Sequence, residues 1–462
     1  MRWPLIAFLC SAALVAADAP PPAGKGLVIV APERFHAALE AYVKHKQAQL
    51  PTRLVSLEST LKSSPGVDDP ERLKRFLFTA WRQENLGYAL LVGDADVLPV
   101  RFMVLDRITP AACDYAFYPS DLYYSDLAKE GDAGAFDDWN ARKDGFHAGY
   151  FGEVRGEKNK NDPINYDAVD YRPDIAVGRW PVSSAAEVET VAAKSMAYEN
   201  GVAAGTAPGL RRAGLVTVGG WVDAVPRMDA AARLLPAGWT VEKQYFAVAE
   251  RNDKMPAVAQ DRLVKLLNEG VGLVCHAGHG GDNEWEKCFS VAALPRLKNA
   301  DRLPVMISVG CTTARFCTLP PYEPYMDVHG VEHAGTNSKK EEFKEPPPPP
   351  APYQTGRYNS TGLGEQLVRR GPNGAVAYIG CNTGGQPCAL TLLEGFVSAF
   401  GKADAPRLGD CWAQAIRYYY EHEKLATLKP NADWYPPSIF FQGMKFMLFG
   451  DPSLRMPPPE RR

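Results

Sequence analysis

The stretch 270–316 constrains the fold of this chain more than any other. It carries two short apolar runs, Val271-Gly-Leu-Val-Cys275 and Leu303-Pro-Val-Met-Ile-Ser-Val309, each followed closely by glycine. Continuous apolar runs of this length are how strands of a parallel sheet, covered on both faces, read in sequence. Beyond the first lie His279 and Gly280, and beyond the second Gly310 and Cys311. In an open α/β sheet, residues just past the carboxyl ends of neighbouring strands face one crevice. An imidazole and a thiol are therefore expected side by side.

That pairing has a chemistry. A cysteine attacks as the thiolate, and a neighbouring histidine can take its proton and later return it to a leaving amine. Gly280 has no side chain, so its backbone N–H can approach a reacting carbonyl and, with the N–H of Cys311, form an oxyanion hole. Singly, a histidine is most often a satisfied core residue and a cysteine a small buried hydrophobe. At matching strand ends, with glycine beside both, they favour catalysis. Cys317 lies past the strand end and is a decoy. His276 and His279 form H-x-x-H, but a zinc pair on a helix needs an i, i+4 separation and a third ligand, and no third ligand is apparent in the sequence.

The rest of the chain alternates strands and helices. Strands are expected at 26–30, 52–56, 88–92, 173–179, 215–218, 240–245 and 375–379. Helices are expected at 35–49, 69–84, 184–200, 228–235, 257–269, 364–370, 390–400, 410–424 and 437–449. Such alternation implies right-handed crossovers and a parallel sheet. The Ala- and Gly-rich stretch 201–210 divides an N-terminal subdomain, 20–205, from a C-terminal one, 206–462. Val92-Gly-Asp94 places another acid just beyond a strand end.

Residues 1–19 combine Arg2, an apolar core over 5–15, and small residues Ala16, Ala17 and Ala19, the pattern of a secretory signal peptide. The mature chain is expected to be soluble and secreted or periplasmic, because no later run is long enough to span a membrane. A net charge of −3 without any basic block excludes a nucleic-acid binder. Nine cysteines are present and Cys10 leaves with the signal peptide. Export permits disulfides, and Cys381 with Cys388 is a conceivable close pair, though connectivity does not follow from sequence.

Two segments depart from the α/β pattern. In 113–170, Asp121, Asp126 and Asp138 stand among tyrosines, glycines and Asn140. Clustered oxygen donors of this kind suit a structural Ca²⁺, which takes six to eight oxygens, but the spacing is not that of an EF-hand and acid-rich turns are commonly just solvated. In 319–362 a proline run, Pro346 to Pro350, follows the charged Ser338-Lys-Lys-Glu-Glu-Phe-Lys-Glu345. A polyproline segment lacks backbone donors and stays extended, so this reads as an insertion beside the crevice, either a disordered surface loop or a lid that must be cut.

Landmarks along the chain, Gly26-Leu-Val-Ile-Val-Ala-Pro32, Leu90-Leu-Val-Gly-Asp-Ala95, Pro173-Asp-Ile-Ala-Val-Gly-Arg179, His279-Gly280, Gly310-Cys311 and Phe449-Gly-Asp-Pro-Ser-Leu454, resemble those of the gingipain-type cysteine peptidases, relatives of caspases and legumains, in family order. The resemblance implies a caspase-like α/β/α sandwich with two mainly parallel-sheet lobes. It also implies an endopeptidase acting on proteins or peptides through an acyl-enzyme, with Cys311 as nucleophile and His279 as general base and acid. No cofactor is then needed for the chemistry, the acid-rich loops are of a kind often associated with calcium, and Arg179 is an ion-paired core residue. One departure stands out. The family commonly places a carboxylate after the strand opening the second lobe, where it orients the histidine; here that spot reads Gly219-Gly220-Trp221. Asp223 is the nearest substitute, while Asp282 and Glu284 lie closer to His279 in sequence. Two readings follow: a peptidase working with a Cys/His dyad, or a degenerate fold that binds peptides or surface partners without cutting.

Overall fold

A computed structural model describes residues 25–105, 116–141, 148–154, 163–246, 257–431 and 435–459. The expected signal peptide lies outside them. Among the described residues no helix is long and apolar enough to cross a membrane.

Ten strands form one sheet: β1 Gly26–Ala31, β2 Thr52–Ser56, β3 Leu86–Val92, β4 Ala176–Trp180, β5 Arg212–Val218, β6 Thr240–Phe246, β7 Leu273–Ala277, β8 Val305–Ser308, β9 Ala377–Cys381 and β10 Phe446–Phe449. Their order is β6-β5-β7-β8-β9-β10-β4-β3-β1-β2. Every pair in it is parallel except β9 with β10. That single antiparallel seam reverses the two halves. The carboxyl ends of β5, β7, β8 and β9 share one edge, and those of β1, β3 and β4 lie on the opposite edge.

Both faces of the sheet are buried because successive side chains of a strand point to opposite sides. Val28, Val30, Leu215, Cys275, Ile307 and Ile379 enter one core. Leu27, Ile29, Val216, Val274, Met306 and Tyr378 enter the other. Helices cover each face, giving the α/β/α sandwich. Helix Ala185–Ala204 shows how locally this is encoded: Ser184 and Glu187 form a capping box at its start, and Gly205, at φ 67°, ends it.

The expected helix at 437–449 is replaced by helix Tyr435–Gln442, a 3₁₀ turn at Gly443–Lys445, and β10. Short apolar runs do not distinguish a buried strand from a buried helix, and Phe446-Met-Leu-Phe449 is such a run. Its last residue pairs with Arg179 of β4, so the C-terminal strand joins the two halves. The loop after it is fixed by charge: Lys46, fully buried, sits 3.0 Å from both Glu199 and Asp451. Arg179 is likewise fully buried, forking onto both oxygens of Asp121 at 2.8 Å and donating to the Gly93 carbonyl at 3.0 Å.

The proline-rich insertion packs in place. Prolines give no N–H, yet their carbonyls still accept. Those of Pro348, Pro349 and Pro352 take the Tyr325 hydroxyl at 3.0 Å, the Val328 N–H at 3.0 Å and the Val100 N–H at 2.8 Å. Gln354, fully buried, donates its N–H to the Ala95 carbonyl at 2.9 Å. Of the two expectations, the disordered surface loop is not what the structure shows: these carbonyls tie the segment to the body of the protein.

Candidate active site

At the edge shared by β5, β7, β8 and β9, the turns after β7 and β8 meet backbone to backbone. A Cβ added at Gly280 would stand 2.7 Å from the Cys311 carbonyl and 3.1 Å from its nitrogen, and one at Gly310 would stand 3.2 Å from the Gly280 nitrogen. Glycine is required at both positions by this approach. Cys311 and His279 are thereby placed on neighbouring strand ends. Immediately after the cysteine, Thr312 adopts φ 50°, a left-handed conformation rare for a β-branched residue. Its N–H is held by the Thr383 carbonyl at 2.7 Å.

The thiol is partly exposed and contacts the loop after β9. Its Sγ accepts the Gly385 N–H at 3.2 Å and lies 3.6 Å from the Gly385 carbonyl. Among the described residues the Cys311 N–H donates to no acceptor, which leaves it available to a ligand oxygen. The loop holding Gly385 is anchored by Lys445, whose Nζ donates to the Gly384 carbonyl at 3.2 Å, and by Gln442, which accepts the Gln386 N–H at 3.0 Å.

The exposed His279 ring bonds through Nε2 to the Gly220 carbonyl at 3.1 Å. A carbonyl only accepts, so Nε2 carries the proton and Nδ1 keeps its lone pair free to accept. The position where sequence lacked a carboxylate thus supplies a main-chain oxygen, and Gly220, at φ 96°, has the conformation that presents it. Asp223 is not brought to the imidazole: it is exposed and accepts the Val225 N–H at 3.3 Å, ahead of helix Val225–Ala232. Asp282 is held by Arg315 at 2.5 Å. Glu284 sits in a short hairpin opposite Gly281, its carboxyl pushed up by burial and by Glu286. His279 and Cys311 form no mutual hydrogen bond in this state.

The strand-end loop 380–385 reads in sequence as lining the same crevice, and Gly385 does reach the thiol; what sequence reasoning missed is the part played by the Gly220 and Gly385 main-chain groups. The doubled glycines Gly219-Gly220 and Gly384-Gly385, each just past a strand, are the signal that could have found them. It also left His276 without a role. That ring is fully buried, stacked at 4.5 Å on Trp285, and its Nδ1 lies 2.8 Å from the Ser308 hydroxyl.

Cys311 is distinguished from every other described cysteine. Cys275, Cys288, Cys317, Cys381, Cys388 and Cys411 are all buried, and burial pushes their thiols up. All are free, so the suggested Cys381–Cys388 pair does not form: Cys381 lies in β9 while Cys388 packs at the start of the following helix.

The three aspartates considered for calcium do not assemble. Asp121 is consumed by Arg179, Asp126 is fully buried under the Trp139 indole at 2.8 Å, and Asp138 accepts the Asn140 N–H at 3.1 Å. Burial raises the Asp126 carboxyl well above its usual range, against the nearby Lys74. Among the described residues no group of three or more His, Cys, Asp or Glu side chains is placed to hold a metal ion.

Comparison with known proteins gives a consistent picture. The family model described as peptidase family C25 matches residues 21–457. The crystal structure of the Arg-specific cysteine proteinase gingipain R (RgpB) superposes with a TM-score of 0.58 at 17% identity, covering 94% of this chain and 78% of that one. The complex of Porphyromonas gingivalis RgpB pro- and mature domains gives 0.59 at 16% identity, covering 94% and 80%. An uncharacterized protein of Archaeoglobus fulgidus is 20% identical over 327 residues, 63% of this chain and 67% of that protein.

Proposed function

The chain belongs to peptidase family C25, and from that premise we propose that it is an exported cysteine endopeptidase working with a Cys311/His279 dyad. The observation that supports the reading is the direct meeting of the Gly280 and Cys311 backbones, with His279 and Cys311 in the turns after the paired strands β7 and β8. His279 Nδ1 takes the Cys311 proton, and the thiolate attacks the scissile carbonyl. The oxyanion is received by the N–H groups of Gly280 and Cys311. His279 then protonates the departing amine, and water activated by the same ring hydrolyses the thioester.

The Gly220 carbonyl fixes the tautomer of His279 as a carboxylate would, but brings no full charge to stabilise the imidazolium. Turnover with a dyad of this kind is therefore slow. The same observation favours a second reading, a peptidase fold that holds peptides without cutting them. Digestion of an unbiased peptide library by the mature protein and by Cys311→Ala, with reductant and with or without calcium, separates the two. Cleavage by the parent alone supports the peptidase. Binding of peptides without cleavage by either protein supports the second reading.

A further inference from the structure

We propose that His276 is a positioning residue for the thiol and the imidazole together, a neutral ring wedged between the strand end that carries His279 and the one that carries Cys311. The proposal rests on the peptidase reading. It starts from the register of β7 and β8, in which His276 lies directly opposite Ser308. The ring's Nδ1 bonds the Ser308 hydroxyl at 2.8 Å. Ser308 Oγ in turn accepts the Gly310 N–H at 3.2 Å, and the Thr313 hydroxyl, 3.4 Å from Ser308, donates to the Gly310 carbonyl at 3.2 Å. The two peptide units flanking Gly310, the second of which leads into Cys311, are therefore held by the Ser308 and Thr313 hydroxyls, the first of them bonded directly to the histidine.

The other side of the ring faces the second turn. Nε2 is buried and without a partner among the described residues, and a Cβ added at Gly278, the residue before His279, would come 3.2 Å from it. The ring cannot retreat. It stacks on Trp285 at an interplanar angle of 4°, and the Trp285 indole donates to the Tyr378 hydroxyl at 2.9 Å. That hydroxyl also bonds Thr313 and Ser308. Trp285, Tyr378, Ser308, Thr313 and His276 thus form one closed polar cluster beneath the dyad.

A ring present only for packing would be better served by phenylalanine, because burying an imidazole with one nitrogen unpaired carries a desolvation penalty that an apolar ring avoids. Burial also drives the His276 pKa down to about 3, so the ring stays neutral and brings no charge to the neighbouring thiolate. What it supplies is a fixed distance between two turns.

The test measures alkylation of Cys311 by iodoacetamide at neutral pH, read by mass spectrometry with Cys311→Ala as blank, beside kcat and KM on a cleaved peptide. His276→Phe keeps the stack and loses the Ser308 bond; His276→Asn keeps a donor and acceptor near the Nδ1 position. The expected result is a fall of about tenfold to hundredfold in alkylation rate and kcat for His276→Phe with KM little changed, and recovery to within about threefold of the parent for His276→Asn. Equal rates in parent and His276→Phe overturn the proposal, as does equal damage from both substitutions, which would mark a packing role. If His276→Phe does not fold, Ser308→Ala must lose the rate while His276→Asn keeps it, and the reverse overturns the proposal. Slow labelling of the parent itself would instead count against the peptidase reading, so the two failures are distinguishable.

Discussion

The two edges of the sheet are built from the same raw material, an acid or nucleophile just past a buried strand, yet they end in opposite chemistry. At the edge with Cys311, the contacts to the two side chains proposed for catalysis are main-chain groups: the Gly220 carbonyl on His279 and the Gly385 N–H on the thiol. At the edge past β3, Asp94 is fully buried and held by side chains as well as by the Ala95 N–H at 2.8 Å. Arg369 reaches it at 3.0 Å, Asn359 at 3.1 Å, and Arg369 also bonds Glu365. Burial raises both carboxyls, Asp94 and Glu365, and one guanidinium offsets part of that. Backbone and glycine leave space and an unused N–H for a substrate. At the other edge the buried carboxylate is already taken up by a guanidinium, an amide and a backbone N–H. The antiparallel pairing of β9 with β10 turns the carboxyl ends of the two halves to opposite edges of the sheet.

Breaking the open edge at its proposed nucleophile should have the largest effect. Cys311→Ala is expected to lower kcat by about 10⁴-fold or more in a peptide-cleavage assay while the thermal midpoint stays within a few degrees, because the residue is only partly buried. Next comes a pH effect on stability at His276. The folded protein holds this ring neutral, with its pKa lowered from 6.5 to about 3 by burial, whereas the unfolded chain takes up a proton below about pH 6.5. Stability is therefore full above that pH and falls as pH drops toward 3, by on the order of 3 kcal/mol between pH 6.5 and pH 4. Urea midpoints across this range should fall in the parent and stay flatter in His276→Asn; parallel curves would show that the ring is not held neutral.

Gly280→Ala should follow. Its Cβ would stand 2.6 Å from Thr313 Cγ2 and 2.7 Å from the Cys311 carbonyl, so one turn must shift. The expectation is a loss of about 10²-fold in kcat with KM and fold retained. The sealed edge should answer in the opposite way. Asp94→Ala leaves Arg369 and Glu365 without a shared partner and is expected to lower stability by about 2 kcal/mol in denaturant titration, with kcat per folded molecule unchanged. A loss of kcat there would mean that the edges are coupled, and the contrast drawn between them would fail.

What the sequence made legible at the open edge was the part written in side chains. His279, Cys311 and the strands beneath them follow from apolar runs and the glycines after them, because burial on both faces leaves little choice of residue. What it hid was written in backbone. Nothing in Gly219-Gly220 says that a carbonyl will take the place of a carboxylate, since every residue has one; only the turn at φ 96° selects it. The same holds for β10, whose four apolar residues suit a helix and a strand equally. Its identity is decided by the vacancy between β9 and β4, a fact about the rest of the chain. The packing of the proline run was hidden in the same way, since the donors that its carbonyls meet, on Tyr325, Val328 and Val100, lie outside the run.

The smallest expected effect sharpens the comparison most. Asp223 is the carboxylate that sequence offers as an orienter for His279, and it sits only three residues beyond Gly220, which does the orienting. Its own oxygen accepts the Val225 N–H, one of the first free donors of helix Val225–Ala232, and its side chain is exposed. Removing a helix-start acceptor of this kind costs about 0.5–1 kcal/mol. If the main-chain carbonyl fixes the tautomer, Asp223→Ala should change kcat/KM by less than about twofold and lower the thermal midpoint by only a few degrees. If instead the carboxylate swings onto His279 when substrate binds, the loss should be about tenfold or more and confined to kcat, with the pH profile of kcat displaced because the imidazolium has lost its counter-charge. The second outcome would make the open edge an ion-paired site in its working state, and the division between a backbone-built edge and a charge-built one would then describe only the resting enzyme.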